Sequence, residues 1–383
     1  MRTFIFSLKL ILFSSVLSYA QSRIELVKSF DYLESSNFVL PLQNDFFIVK
    51  NYSNPFVISD GTEAGTIKSF NVMSQRDSYI STDNHIIYAS NDRIWVSAGT
   101  SAGPYLVRDL DYPETKIGLY KLNGRIFYRY ARLGIPDGFQ QTQLANEGEL
   151  FELDPSTGTS TLVHDINVGD GDALDWQMGG GAYRAFIENN RIFMNAFNGN
   201  STSVWSSDGT PSGTVLMAMD KRIIWGSSTR DAIRTDASSS SYDYPFMDAD
   251  THWQYPLLNN IIDLVDRTLF IVMDSMTYSM EIWGTDGTLS GTGPISFAEE
   301  IDVDGSGSIY SADANWQKVG NQVYFTTDNH TKLWRTDGTS SGTVFIKQIR
   351  SGTLPLGTIA GNVDEMVPFG NKLFFINDGI GYV

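Results

Sequence analysis

The chain has 383 residues, a formal charge of −17 and no cysteine. Disulfides, thiolate metal sites and thiol catalysis are excluded, and a surface this acidic repels phosphate backbones, which argues against a nucleic-acid partner. The length fits one large repeat domain or two ordinary ones.

The first element is a leader. Arg2 precedes the apolar run "FIFSLKLILFSSVL", and the small residues "SYA" precede Gln21. This reads as a secretory signal peptide over residues 1–20. The run is too short to span a bilayer and Lys9 interrupts it. No later segment approaches membrane-span length, so the expectation is an exported chain: extracellular, on the cell surface, or periplasmic. Loss of Arg2 and Lys9 with the leader takes the charge from −17 to −19. That charge suits cationic partners, divalent ions or a salty medium, and plain solubility is the simpler explanation.

Next comes "RIELVKSF", Arg23 to Phe30, which reads as a lone strand. Six complete units follow, near residues 36–73, 78–110, 116–166, 182–220, 258–301 and 316–349. Within each, the pattern has period two and is rich in β-branched and aromatic residues. The last complete unit gives "WQKV", "QVYFTTD", "KLWRT" and "TVFIKQI", four short strands A to D. The A–B turns "LNGRIF", "ENNRIF", "VGNQVYF" and "FGNKLFF" are two-residue hairpin signals. The chain ends in "VDEMVPFGNKLFFINDGIGYV", which reads as A, B and the start of C, stopping one residue before the expected Trp position.

One phrase recurs: "VWSSDGTPSGT", "IWGTDGTLSGT", "LWRTDGTSSGT" and "FVISDGTEAGT", with worn copies "IWVSAGTSAGP" and "LFELDPSTGTS". The turn glycines Gly61, Gly99, Gly158, Gly209, Gly287 and Gly338 are spaced 38, 59, 51, 78 and 51 apart. A unit of about 40–50 residues with insertions is the size of a four-stranded propeller blade. In the pairs Asp60-Gly61, Asp208-Gly209, Asp286-Gly287 and Asp337-Gly338, the Asp can close an Asx-turn and the Gly supplies positive φ. Trp205, Trp283 and Trp334, with Trp95 and Phe151 in worn copies, sit three residues before the turn as wedges between blades.

The phrase resembles the ELWxxDGT-repeat family, exported bacterial β-propeller-like proteins of the Bacteroidetes type. The resemblance covers the mature chain and implies export, often with a C-terminal sorting domain, which this sequence does not display. The expected fold is all-β: a seven-bladed β-propeller of four-stranded antiparallel blades, in one domain over residues 21–383. Residues 364–383 plus 24–30 make the last blade, because an open ring leaves unpaired sheet edges. Six or eight blades are the alternatives.

In such a blade the A–B and C–D turns share one face, and here they are short. Irregular sequence falls on the other face, in the B–C loop "ARLGIPDGFQQTQLANEGE" and the long D–A connection after Asp220. Three D–A connections share a phrase: "DALDWQ" (Asp172, Trp176, Gln177), "DADTHWQ" (Asp250, Trp253, Gln254) and "DANWQ" (Asp313, Trp316, Gln317). Each places Trp-Gln where the first strand starts. Rings beside carboxylates and amides suit sugars, while burial of the rings between blades is the competing explanation. "GDGDALD" and "DVDGSGS" raise calcium, but neither has the glutamate an EF-hand loop needs, so a plain turn is the stronger reading and no cofactor is expected. His85, His164, His252 and His330 lack metal spacing. The function expected is a non-catalytic binding or surface-interaction module, with extracellular glycan or a surface protein as partner. A polysaccharide-active hydrolase on the same scaffold is the alternative, needing only a carboxylate pair.

Overall fold

The computed structural model describes residues 36–41, 47–51, 54–59, 62, 64, 67–68, 79–82, 85–90, 92–97, 104–110, 115–132, 148–168, 173, 185–225, 260–304, 313–328, 330–348, 365–377 and 380–382. All their regular structure is β, and every strand pairing is antiparallel. The leader and Arg23–Phe30 lie outside the described residues.

Among the described residues, seven sheets of three to five strands and one two-stranded ribbon follow one another. Sheet 1 is β1 Ser36–Pro41, β2 Phe47–Asn51, β3 Asn54–Ser59 and β4 Ile67–Lys68. Sheet 2 is β5 Tyr79–Ser81, β6 Ile86–Ser90, β7 Arg93–Ser97 and β8 Tyr105–Asp109. Sheet 3 is β9 Thr115–Leu122, β10 Arg125–Arg132, β11 Leu150–Leu153 and β12 Ser160–His164. Sheet 4 is β13 Ala185–Glu188, β14 Arg191–Phe197, β15 Thr202–Ser207 and β16 Val215–Ala218. Sheet 5 holds β17 Lys221–Ile223, β18 Ile261–Asp263, β19 Thr268–Asp274, β20 Met280–Thr285 and β21 Gly293–Pro294. A short ribbon, β22 Val303–Asp304 with β23 Asp313–Ala314, precedes sheet 6. Sheet 6 is β24 Trp316–Val319, β25 Gln322–Thr327, β26 Lys332–Thr336 and β27 Val344–Gln348. Sheet 7 has three strands, β28 Glu365–Phe369, β29 Lys372–Asn377 and β30 Ile380–Tyr382.

Consecutive sheets pack face to face because alternate residues of one strand serve two neighbours. On β9 and β10, Leu119 and Tyr128 join Ile87 and Val96 of sheet 2. Their strand neighbours Tyr120 and Phe127 join Phe186, Phe193 and Trp205 of sheet 4. Sheet 5 repeats the arrangement: Phe270 and Trp283 face the sheet 4 cluster, whereas Leu269 and Ile271 face Trp316 and Phe325 of sheet 6. Val319 and Leu333 of sheet 6 close on Met366, Leu373 and Phe375 of sheet 7. This serial packing of four-stranded antiparallel sheets is propeller-like.

A shared layer runs across the sheets. The aromatic of the phrase stands opposite a large residue on the second strand: Tyr88↔Trp95, Tyr128↔Phe151, Met194↔Trp205, Phe270↔Trp283 and Phe325↔Trp334. In sheet 7 the same place is taken by Tyr382, opposite Phe375. The expectation that the chain stops one residue short of this place is therefore corrected. Two residues separate β29 from β30, as they separate β6 from β7, where four or five separate the equivalent strands of sheets 4 to 6, so the register reaches the aromatic place at Tyr382.

Sheet 5 departs from the sequence reading in its first strand. β17 pairs with one end of β19, Lys221↔Asp274 to Ile223↔Val272, and β18 pairs with the other, Ile261↔Phe270 to Asp263↔Thr268. The Ile224 amide donates to the Ile271 carbonyl at 2.9 Å, and the Ile271 amide donates to the Asn260 carbonyl at 3.1 Å. The sheet thus starts at Lys221, not near Leu258. Only Met219 and Asp220 connect it to β16, and the insertion after Trp225 departs from the middle of the first strand, not from the D–A connection. Asp220 makes the tight turn with φ +55°.

Candidate functional site

The two ends of the sheets are built differently, and the turn end is the more regular. In sheet 4 the Asp208 Oδ1 accepts the Thr210 amide at 2.9 Å and its hydroxyl at 2.6 Å. The same hydroxyl accepts the Gly213 amide at 3.0 Å, and Ser207 Oγ accepts the Gly209 amide while meeting Thr214 Oγ1 at 2.7 Å. Sheets 5 and 6 repeat every one of these bonds with Asp286, Thr288, Gly291, Thr285 and Thr292, and with Asp337, Thr339, Gly342, Thr336 and Thr343. The phrase therefore encodes one closed hydrogen-bond circuit. Its second glycine is needed because a Cβ there would lie 1.9–2.1 Å from the Asp carboxylate.

Each turn is also bound to the preceding sheet. Arg125 of sheet 3 donates to the Gly209 carbonyl at 3.0 Å, Asn189 of sheet 4 to the Asp286 carbonyl at 3.0 Å, and Arg267 of sheet 5 to the Gly338 carbonyl at 2.8 Å. These donors stand on the A–B turns, which places both turn sets on one face. The first glycines have φ of +82°, +83° and +90°. A Cβ on Gly287 would lie 2.2 Å from Asn189 Cβ. The Thr hydroxyl and amide bonds hold the Asp286 and Asp337 carboxyls below the usual range. Asp60 and Gly61 lie outside the described residues.

The opposite end gathers a different chemistry. Between the exit of sheet 5 and the turn joining β25 to β26 lies a crevice of about 520 Å³. It is lined by Glu299, Glu300, Ile301, Asp302, Asp328 and Lys332. The Lys332 ammonium contacts a Glu299 carboxylate oxygen and stands 3.4 Å from Asp328 Oδ2. Thr327 Oγ1 donates to Glu299 and accepts Trp334 Nε1 at 3.0 Å. Burial pushes the Glu299 carboxyl up, but the bonds from Lys332 and Thr327 outweigh it and hold the group below its ordinary value. Lys332 is raised by the same partner. Glu300 Oε1 accepts the Met280 amide at 2.6 Å, and Asp302 Oδ2 accepts the His330 amide at 2.6 Å. Asn315, 3% exposed, meets His330 Nδ1 at 2.6 Å. Among the described residues no group of His, Asp and Glu is arranged to hold a metal ion.

Asp172, Trp176, Gln177, Asp250, Trp253 and Gln254 lie outside the described residues. The third Trp-Gln phrase is in view. Ala314 and Trp316 are buried in the cluster between sheets 5 and 6, with Trp316 8% exposed and opposite Phe325. Gln317 Nε2 donates to the Lys318 carbonyl at 3.3 Å. Asp313 pairs with Asp304 in the ribbon. Trp316 opens its sheet's first strand, and the described first strand of sheet 4 starts at Ala185. The crevice itself was not singled out from sequence. Its signal is the acidic run "EEIDVD" just before the third phrase.

No protein-family model matches the chain, and no curated protein does. Among solved structures, prolyl endopeptidases match with 9% identity and a TM-score of 0.38, over 82% of this chain and 42% of theirs. BamB from Moraxella catarrhalis matches with 10% identity and a TM-score of 0.34, over 89% of this chain and 82% of its own. A putative TolB from Agrobacterium tumefaciens matches with 10% identity and a TM-score of 0.30, over 68% of this chain and 80% of its own. The chain thus spans about two fifths of the length of the endopeptidases it matches. No helix among the described residues is long and apolar enough to cross a membrane.

Proposed function

We propose that the chain is an exported, non-catalytic, seven-bladed propeller of the ELWxxDGT-repeat type that binds a hydroxyl-rich ligand, of glycan class, on the face opposite its Asp-Gly-Thr turns. The observation that carries this reading is the asymmetry of the two ends. One end is committed to bonds between neighbouring sheets, and a rigid scaffold of that kind suits the display of variable connections at the other. Carboxyl groups and one lysine line the crevice there, and such groups pair well with sugar hydroxyls.

The seventh blade is sheet 7 completed by residues 24–30, which closes the ring. Two features support this. Sheet 7 has three strands where its neighbours have four. It also carries apolar side chains on an open face, with Val367 42%, Phe369 77% and Phe374 37% exposed.

A glycan array with the purified chain tests the binding reading. Asp328→Asn combined with Lys332→Met should weaken the strongest signal by about 1–3 kcal/mol without lowering the melting temperature much, since both groups are solvent-accessible. Unchanged binding in that variant removes the crevice from the reading. Release of reducing ends from a bound polysaccharide would replace the module with a hydrolase.

A further inference from the structure

The outer strands of four sheets share a backbone irregularity that serves as a template. In sheet 2 the pairing runs Ile94↔Arg108 and then Trp95↔Leu106, so Val107 is an extra residue. In sheet 3, Leu150↔His164 is followed by Phe151↔Leu162, with Val163 extra. In sheet 4, Val204↔Ala218 is followed by Trp205↔Leu216, with Met217 extra. In sheet 6, Leu333↔Lys347 is followed by Trp334↔Phe345, with Ile346 extra. Each bulge sits at the aromatic of the repeated phrase. The residue opposite that aromatic is Leu or Phe, and the extra residue is Val, Met or Ile.

The chemistry of the bulge follows from its position. An extra residue in one strand turns its neighbour's side chain and increases the local twist. Val163 is buried, and Val107 and Met217 pack against the clusters between sheets. In sheets 2, 3 and 4 the apolar extra residue therefore takes the inward place, while Leu106 and Leu216 opposite the aromatics stay 43% and 38% exposed, so the bulge interrupts strict alternation. The resulting sequence signature is "LVRDL" in sheet 2 (Leu106–Leu110) and "LVHDI" in sheet 3 (Leu162–Ile166).

The stretch "LVKSF", Leu26 to Phe30, repeats this signature ahead of all complete sheets. Sheet 7 has the aromatic at its phrase position, Tyr382 opposite Phe375, on the edge strand β30. We infer that Arg23–Phe30 docks on the edge of β30 that no strand among the described residues pairs, as a bulged outer strand with Leu26 opposite Tyr382, Val27 as the extra residue and Lys28 opposite Gly381. This rests on the closed-ring reading above and adds its register. A one-residue slip would turn Leu26 and Val27 away from the positions their counterparts hold in sheets 2 and 3.

The absence of native cysteine makes the register directly readable. Residues directly opposite on antiparallel strands have the spacing a disulfide needs. Three double variants are oxidised under mild conditions and mapped by peptide mass spectrometry: Leu26→Cys with Tyr382→Cys, Leu26→Cys with Gly381→Cys, and Lys28→Cys with Tyr382→Cys. The first should cross-link fastest and most completely. Faster linkage in either other pair overturns the register and leaves the closed ring standing. No linkage in any of them removes the ring closure as well. Hydrogen exchange on the unmodified chain guards against a cysteine pair that unfolds: the amides of Ile380–Tyr382 should be protected, and deletion of residues 22–30 should abolish that protection while leaving β25 and β26 unchanged. Equal exchange with and without the deletion overturns the docking itself.

Discussion

The turn end and the crevice end of this molecule solve the same problem with opposite economies. At the turn end, eight consecutive residues close the circuit among themselves, and a carbonyl of each turn is offered to the preceding sheet. The circuit in sheets 4, 5 and 6 is the same to within 0.2 Å in every repeated bond quoted above. At the crevice end, several polar groups depend on a partner distant in sequence, as Glu299 does on Lys332 and Asp302 on His330. Local circuits can be copied along a chain, whereas distant pairs must be built anew in each unit. That is why the phrase repeats and the connections do not.

The comparison is broken most severely at the point where a turn meets its neighbour. Gly287→Val forces a β-branched residue to φ +83° and drives its Cβ against Asn189 and the Glu188 carbonyl. The expected loss is roughly 4 kcal/mol, or no folded protein at all. Gly320→Ala is the matched control: its φ is +61° but nothing lies within 4 Å of the added carbon, so only about 1 kcal/mol should be lost. Equal melting of the two variants would show that the contact between sheets adds nothing to the strain of the turn.

Trp316 sharpens the contrast from the other end. Its burial in the sheet 5–6 cluster predicts that Trp316→Ala loses about 3 kcal/mol of stability. A variant that melts like the parent but fails on a glycan array would restore the sugar-platform reading for this phrase.

The two ends should also respond to acid in opposite directions. Glu149 is fully buried beside Arg129, and its Oε1 accepts the Ile166 and Asn167 amides at 3.0 Å each. Burial raises its carboxyl from 4.5 to about 7 in spite of those bonds. A carboxyl raised in the folded state binds its proton more tightly folded than unfolded, so stability is full below about 4.5 and falls as pH rises through about 7. The turn carboxyls Asp286 and Asp337 are lowered instead, so their contribution is present at neutral pH and is lost in acid. Glu149→Gln should remove roughly 3 kcal/mol of the decline between those two pH values and leave the acid limb intact. Parallel pH–stability curves for parent and variant would show that Glu149 does not titrate in this window.

Some of this was legible in the sequence for physical reasons. The alternation that buries both faces of β10 and β19 is written in consecutive apolar residues, and the Asp-Gly-Thr circuit is local, so both could be read without a fold. The split first strand of sheet 5 could not. "KRIIW" alone is too short to declare a strand, and its partner β19 begins 45 residues after β17 ends. The Trp-Gln phrases are hard for a different reason: register is fixed by strand pairing, which letters alone do not reveal, and of the three only Asp313, Trp316 and Gln317 lie among the described residues. Glu299 and Lys332 are 33 residues apart and meet only because β26 runs back beside the exit of sheet 5.

The smallest expected effect tests the local rule in its purest form. Two turns share one circuit although they stand at opposite ends of their sheets. In sheet 3, Asp154 Oδ1 accepts the Ser156 amide at 2.8 Å, the Gly158 amide donates to the Asp154 carbonyl at 2.8 Å, and the Asp154 amide donates in return to the Thr159 carbonyl at 2.9 Å. In sheet 5, Asp274 Oδ1 accepts the Met276 amide at 2.9 Å, the Tyr278 amide donates to the Asp274 carbonyl at 2.9 Å, and Ser279 closes the turn. Where the first has Gly158 at φ +73°, the second has Tyr278 at φ +61°. A side chain in the left-handed region costs about 1–2 kcal/mol, and the ring of Tyr278 is 53% exposed, so little packing offsets that cost. Tyr278→Gly should therefore raise stability, by about 0.5–1 kcal/mol once the greater freedom of glycine in the unfolded chain is subtracted. Tyr278→Asn should gain less, because asparagine tolerates this region better than tyrosine but worse than glycine. Thermal melts of the three chains rank them, and a parent that outlasts both variants would mean that the Tyr278 ring holds the turn by contacts outweighing its backbone strain.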